Sequence, residues 1–269
     1  MAAAETFANK VAIVTGGASG LGAALATELA ANGARVVVAD CDTQRARAVV
    51  ASIGPAAESV MVDVSQPSQV ESLVHETRRK YGALDLMVNN AAVLGYGNLS
   101  SFPLSDWRRI LSVNLEGVIT GSLAAYDVMV QQRSGHIVNI ASLSALVVTP
   151  LAAPYSTSKS AVLSFSLQLA AEAELNGVRV TVVCPGNLQT PMIRDISPSR
   201  FTPAIPADVA ARHILRAVAR DKRLVVFPLY ARVLWWLERL HPNLLRPLRR
   251  EMLRRAKLRR GSASDKLAA

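Results

Sequence analysis

Thr15-Gly-Gly-Ala-Ser-Gly-Leu-Gly22 joins an apolar run of strand length, Lys10–Thr15, to a segment of helical period, Gly20–Asn32. Gly16, Gly20 and Gly22 let the backbone turn tightly and approach a ligand with no side chain in the way. The helix N-terminus beyond offers unpaired N–H groups and a partial positive charge, which attract a phosphate. Ser19 adds a hydroxyl donor. A glycine triplet alone marks only a tight turn. Here it stands between strand and helix at the start of a βαβ unit, where a dinucleotide's pyrophosphate sits.

Outward from this loop the same alternation continues. Strands are expected at Lys10–Thr15, Arg35–Ala39, Ser59–Val62, Leu84–Val88, His136–Ala141, Val178–Val183 and Leu224–Phe227. Helices are expected at Gly20–Asn32, Gln44–Ser52, Pro67–Tyr81, Asp106–Gln132, Ala153–Asn176 and Ala207–Ala219. The strands are continuously apolar, so both their faces should be covered. The pattern predicts an α/β fold, Rossmann-like and doubly wound. Its seven-stranded parallel sheet carries helices on both faces, and a basic helical extension follows at the C-terminus. Residues 1–228 would form the cofactor-binding catalytic domain and 229–269 the extension. Residues 189–206 hold four prolines and no clear period, which suggests a loop over a substrate.

With 51% hydrophobic and 19% charged residues, the 269-residue chain is neither disordered nor fibrous. Its net charge of +10 is unevenly placed. Up to Pro206 there are 14 basic and 15 acidic residues; from Ala207 onward there are 16 and 5. A neutral body with a basic tail argues against a general nucleic-acid binder. Cys41 and Cys184, both beside strand-like runs, read as reduced, buried packing residues of a cytoplasmic protein. The first ten residues lack the pattern of a signal peptide, and no stretch has the length of a spanning helix. His75, His136, His213 and His241 show no ligand spacing, so no metal site is expected.

Asp40 closes the second strand, 18 residues after Gly22. A carboxylate there accepts both hydroxyls of an adenosine ribose and repels a 2′-phosphate, which favours NAD over NADP. Further on, Tyr155 and Lys159 stand four apart at the start of a long helix and share one face. Lowering a tyrosine's pKa from about 10 by ~3 units requires about 4 kcal/mol. A lysine cation together with the positive nicotinamide ring is a reasonable source.

The combination resembles the short-chain dehydrogenase/reductase family over about Lys10 to Phe227. The motifs that carry it are T-G-G-A-S-G-L-G at Thr15, Asp63-Val64, N-N-A-A at Asn89, Asn114 in S-V-N-L, Ser142 in I-A-S-L-S, Y-S-T-S-K at Tyr155 and P-G-N-L-Q-T at Pro185. The resemblance implies a catalytic set of Asn114, Ser142, Tyr155 and Lys159. Tyr155 would be the proton donor or base, and Ser142 would hydrogen-bond the substrate oxygen. Lys159 would hold the nicotinamide ribose and tune Tyr155, and Asn114 would hold a relay water. The cofactor would rest on Gly16, Ser19, Gly20, Leu21, Gly22 and Asp40. Asp63 and Val64 would touch the adenine, Asn90 its ribose, and Leu188 and Thr190 the carboxamide. Where the family usually has Asn-Asn-Ala-Gly, this chain has Ala92, a slight change in the wall beneath the cofactor.

Leu94, Leu143, Val147, Val148, Leu151, Met192 and Ile193 are candidate pocket residues. Nearly all are apolar, so an uncharged hydrophobic secondary alcohol or ketone is expected. In the tail, leucines at four-residue spacing, Tyr230, Trp235, Trp236 and many arginines have the chemistry of an interfacial helix. The same stripe could instead pack on the body, roof the pocket or join subunits. A homodimer or homotetramer is implied by the family, peripheral membrane contact by the tail. Two rival readings stay open: an NADPH-dependent carbonyl reductase, and a cofactor-bound scaffold recruited to a membrane or partner.

Overall fold

The computed structural model describes residues 6–193, 202–241 and 243–254. β1 (Val11–Thr15), β2 (Arg35–Asp40), β3 (Ala57–Met61), β4 (Leu86–Asn89), β5 (Gly135–Ile140), β6 (Val178–Pro185) and β9 (Leu224–Phe227) form one seven-stranded sheet. Its order is β3-β2-β1-β4-β5-β6-β9 and every pairing is parallel. The order reverses between β1 and β4, so a crevice opens there beyond the carboxyl ends of the strands.

Helices α1 (Gly20–Ala31), α2 (Thr43–Ile53), α3 (Pro67–Tyr81), α4 (Leu104–Leu111), α5 (Gly117–Gln132), α6 (Ala153–Ala173) and α7 (Ala207–Ala219) connect the strands. Successive strand residues serve opposite faces. Ala12, Val14, Val36 and Val38 pack with Leu25 and Leu29 of α1 and Ile214 and Leu215 of α7. Ile13, Val37 and Met87 pack with Val70 and Val74 of α3, Met129 of α5 and Leu169 of α6. Each such Val, Leu, Ile or Met side chain contributes roughly 1.5–3 kcal/mol of burial, which is why the strands show no polar alternation.

Local signals set the helix ends. Asp42 caps α2 by accepting from the Arg45 N–H at 3.0 Å. Pro67 opens α3, and Gly82, at φ +79°, closes it behind Arg78, Arg79 and Lys80. The long helix expected at Asp106–Gln132 is interrupted: a π turn, Ser112–Glu116, joins α4 to α5. Such an extra residue often marks a functional position, and this one carries Asn114. His136 lies in β5 with its Nε2 2.8 Å from the Thr181 hydroxyl, and burial pulls its pKa down to about 3. It is a neutral core residue.

The proline-rich segment is tied at its two ends. β7 (Leu188–Gln189) pairs in parallel with β8 (Ile205–Pro206). Arg194, Pro198 and Arg200 lie outside the described residues, as does the chain after Arg254. After β9 come α8 (Leu229–Leu240) and a helical stretch at 246–254.

Candidate active site

One cleft of about 860 Å³ runs along the carboxyl ends of the strands. Gly16, Ser19, Gly20, Leu21, Asp40, Asp63, Val64 and Asn90 line one end of it; Ser142, Tyr155 and Lys159 line the other, with Leu188 and Thr190 along the side.

At the first end the backbone geometry leaves no room for side chains. A Cβ on Gly22 would meet the Gly16 carbonyl oxygen at 2.0 Å. Gly16 itself takes φ +63°, and a Cβ there would meet the Ala91 Cα at 2.7 Å. Ser19 precedes α1 in extended conformation and its hydroxyl makes no capping bond. The amides of the first turn of α1 and this hydroxyl therefore face the cleft as donors for an anion. Asp40 is held by two backbone N–H groups, Ala18 at 3.0 Å and Asp42 at 2.9 Å, one to each carboxylate oxygen. Arg45, which could have met a phosphate here, pairs with Asp42 at 3.3 Å instead. Asp63 accepts from the Ser65 amide and hydroxyl. Asn90 donates its side-chain amide to the carbonyls of Thr15 at 2.9 Å and Gly16 at 3.1 Å. It braces the glycine loop, and its backbone N–H donates to the Thr15 hydroxyl at 3.0 Å, which leaves its side-chain oxygen for a ligand. A close backbone cradle with an acidic residue beyond it fits a dinucleotide.

At the second end, α6 presents Tyr155 and Lys159 one turn apart. Lys159 is 1% exposed; its Nζ donates to the Ile140 carbonyl at 2.7 Å and lies 5.9 Å from the centre of the Tyr155 ring. Burial pulls the Lys159 ammonium down to about 8. Burial also pushes the Tyr155 phenol above its ordinary value, against a hydrogen bond to Ser142 that acts the other way. Behind both, the buried Cys184 thiol is pushed up to about 12. The expected lowering of the phenol is therefore not achieved by the chain alone. Ser142 caps a short turn, its hydroxyl oxygen accepting from the Ser144 amide at 3.2 Å. Asn114 is fully buried: its side chain accepts from Val93 N at 2.7 Å and donates to Val93 O at 2.9 Å and Ser158 Oγ at 3.1 Å. Its amide is committed to holding the loop at Val93 against α6, so any water would fall to its backbone.

Leu94, Leu143, Leu151, Met192 and Ile193 line the cleft, and Ala92 is part of the wall. Val148 does not: it is 59% exposed, while its neighbour Val147 is buried and Thr149 faces the cleft. Beyond the turn at Leu143–Ala145 the chain is irregular, and consecutive side chains there face opposite ways. Cys41 is not the buried packing residue that its strand-like neighbours suggest. It is exposed at the cleft edge, because β2 ends one residue before it. Tyr230 is turned inward, its hydroxyl accepting from the Asn187 N–H at 2.8 Å, so it is no headgroup ring.

Of the places open to the tail stripe, the cavity takes part of it: Leu248, Met252 and Leu253, with Glu251, from the helical stretch 246–254, border the same cleft. Ser144 Oγ is buried without a hydrogen-bond partner among the described residues and faces the cleft. Its signal was its place two residues after Ser142. Asn89 and Asn139 form a buried network below the floor, bonded at 2.8 Å and extended to Ser122 and Ser166.

The sequence profile of the short chain dehydrogenase family matches residues 10–200. A 3-alpha-(or 20-beta)-hydroxysteroid dehydrogenase of Mycobacterium bovis is 38% identical over 184 residues, 68% of this chain and 71% of its own. Momilactone A synthase of Oryza sativa subsp. japonica is 40% identical over 194 residues, 71% of each chain. Among solved structures, a short chain dehydrogenase/reductase from Burkholderia phymatum in complex with NAD superposes with a TM-score of 0.82 at 26% identity, covering 88% of this chain and 95% of that one. The chain therefore belongs to the short-chain dehydrogenase/reductase family and is an NAD(P)-dependent oxidoreductase of alcohol and ketone substrates.

Proposed function

We propose that the protein is an NAD-dependent dehydrogenase that interconverts a bulky, uncharged secondary alcohol and its ketone. The observation that carries this reading is the single cleft joining the Gly16–Asp40 cradle to Ser142, Tyr155 and Lys159 through a largely apolar wall. Asp40, fixed by two amides, presents negative charge where a 2′-phosphate would have to sit. The relatives named for a hydroxysteroid and for momilactone A, and the NAD-bound neighbour, support the same reading.

When bound, the nicotinamide supplies the hydride acceptor or donor. The chain's own residues handle the proton. Tyr155, kept protonated by its surroundings, delivers a proton to a ketone oxygen, and its phenolate takes one from an alcohol. Ser142 donates a hydrogen bond to that oxygen and steadies the charge developing there. Lys159, charged below about pH 8, faces the Tyr155 ring and favours the phenolate. Ketone reduction should fall and alcohol oxidation rise as pH increases, because one needs the phenol and the other its anion. Assembly through the outer faces of α5 and α6, where Leu123 and Leu167 are exposed, belongs to this reading. A screen of hydrophobic secondary alcohols with NAD and NADP, followed by absorbance of the reduced cofactor, tests it. Turnover with NADP exceeding that with NAD would overturn the cofactor assignment.

A further inference from the structure

The outward face of α8 has no partner in the fold. Leu229, Val233, Trp236 and Leu240 stand at intervals of four, three and four residues and form one stripe. All four are exposed, Leu229 at 72%, Leu240 at 71% and Trp236 at 57%. By helical period the exposed Arg232 and Arg239 border one side of the stripe. The helix is anchored by its other side, through buried Ala231 and the Tyr230–Asn187 bond. Single exposed apolar residues need no explanation, but a continuous stripe does.

The stretch 246–254 adds charge beside it. The Arg249–Glu238 ion pair holds it to α8, and Leu245 is buried between. Leu248 and Met252 turn to the cleft. Arg246, Arg250 and Arg254 are exposed at four-residue intervals and make no ion pair among the described residues.

We propose that α8 and the 246–254 helix together dock on an anionic membrane surface, with the Leu229–Leu240 stripe among the acyl chains and the arginines on the headgroups. Charge complementarity selects this occupant. The chain from Ala207 onward carries 16 basic and 5 acidic residues against a balanced body. A second copy packed antiparallel on the stripe would bring Arg232 and Arg239 of both copies together, which like-charge repulsion opposes. Trp236 suits the headgroup layer. No helix among the described residues is long and apolar enough to cross a membrane, so the helix lies on the surface. Because Leu248 and Met252 also wall the cleft, docking brings that wall close to lipid and gives an apolar substrate a short path. That consequence rests on the function proposed above; the docking does not.

Co-sedimentation of the full chain with phosphatidylserine-rich and with pure phosphatidylcholine vesicles tests the proposal. Beside it run the Val233→Glu/Trp236→Glu variant and an Arg246→Ser/Arg250→Ser/Arg254→Ser variant. Activity on a water-soluble secondary alcohol, a thermal melt and the sedimenting mass are followed in each. The expected result is binding to the serine-rich vesicles only, weakened by high salt and by the arginine variant, and reduced roughly tenfold or more in the glutamate variant. Activity and melting temperature should not move. Equal binding by the glutamate variant, or no binding by the full chain, overturns the proposal. A wild-type assembly that the glutamate variant splits, with no vesicle binding, assigns the stripe to a second copy and overturns it too. Loss of alcohol turnover in every protein with binding intact would count against the proposed function alone.

Discussion

The two ends of the cleft are built on opposite principles. At the Asp40 end the polar groups are fastened to backbone: Asp40 by Ala18 and Asp42, Asn90 to Thr15 and Gly16, Asp63 by Ser65. Such groups are fixed before a ligand arrives, so little reorganisation opposes binding. At the Tyr155 end, by contrast, Lys159, Tyr155 and Cys184 are packed together with pKa values moved by burial. A buried cation is tolerated there at a cost in stability, as reactive sites often require. One end holds, the other reacts, and substitutions should separate the two.

The largest separation is expected from Tyr155→Phe. Turnover should fall roughly a thousandfold, while the dissociation constant for NAD, measured by calorimetry, stays within a few-fold. Parallel losses of affinity and turnover would mean that the ends are not separable. Asp40→Ala is the reverse case. The ratio of kcat/KM with NAD to that with NADP should drop by roughly ten- to a hundredfold, since a like charge facing the 2′-phosphate is removed. An unchanged ratio would show that Asp40 does not face the ribose.

Lys159 gives a sharper test through stability. Its pKa is lowered from 10.5 to about 8 on folding. Below pH 8 the folded and unfolded chains both carry the charge, and the full burial penalty opposes folding. Between pH 8 and 10.5 only the unfolded chain holds the proton, so the penalty is relieved as pH rises. Denaturant unfolding should show wild type gaining about 1.4 kcal/mol per pH unit in this window relative to Lys159→Met. Parallel curves would contradict a buried, perturbed lysine. Smallest is the effect of the tail on the reacting end: Leu248→Ala and Met252→Ala should each raise KM for an apolar substrate roughly three- to tenfold with NAD affinity unchanged.

The holding end and the sheet were the more legible. Pro67–Tyr81, Ala207–Ala219 and Leu224–Phe227 match the expected bounds, since Pro67 and Gly82 punctuate locally and buried strands read as unbroken apolar runs. The π turn at Ser112–Glu116 was invisible, because one extra residue leaves no mark in a helix that is apolar on several sides. Val148 was misplaced because nothing local says which way a side chain leaves an irregular turn. Leu248 and Met252 border the cavity from more than ninety residues beyond Tyr155, and their spacing alone does not choose between roofing the pocket and the stripe's other possible places. The departures at the reacting end, a raised phenol and a lowered lysine, depend on burial that only the fold supplies.

The most direct test of the central claim follows an isotope. Hydrophobic secondary alcohols deuterated at the carbinol carbon are turned over with NAD, and the recovered cofactor is weighed by mass spectrometry. The account predicts one deuterium gained by the cofactor with wild type, and the gain slowed roughly a thousandfold in Tyr155→Phe. Oxidation of the alcohol with no label in the cofactor, or labelling by Tyr155→Phe at the wild-type rate, would contradict it.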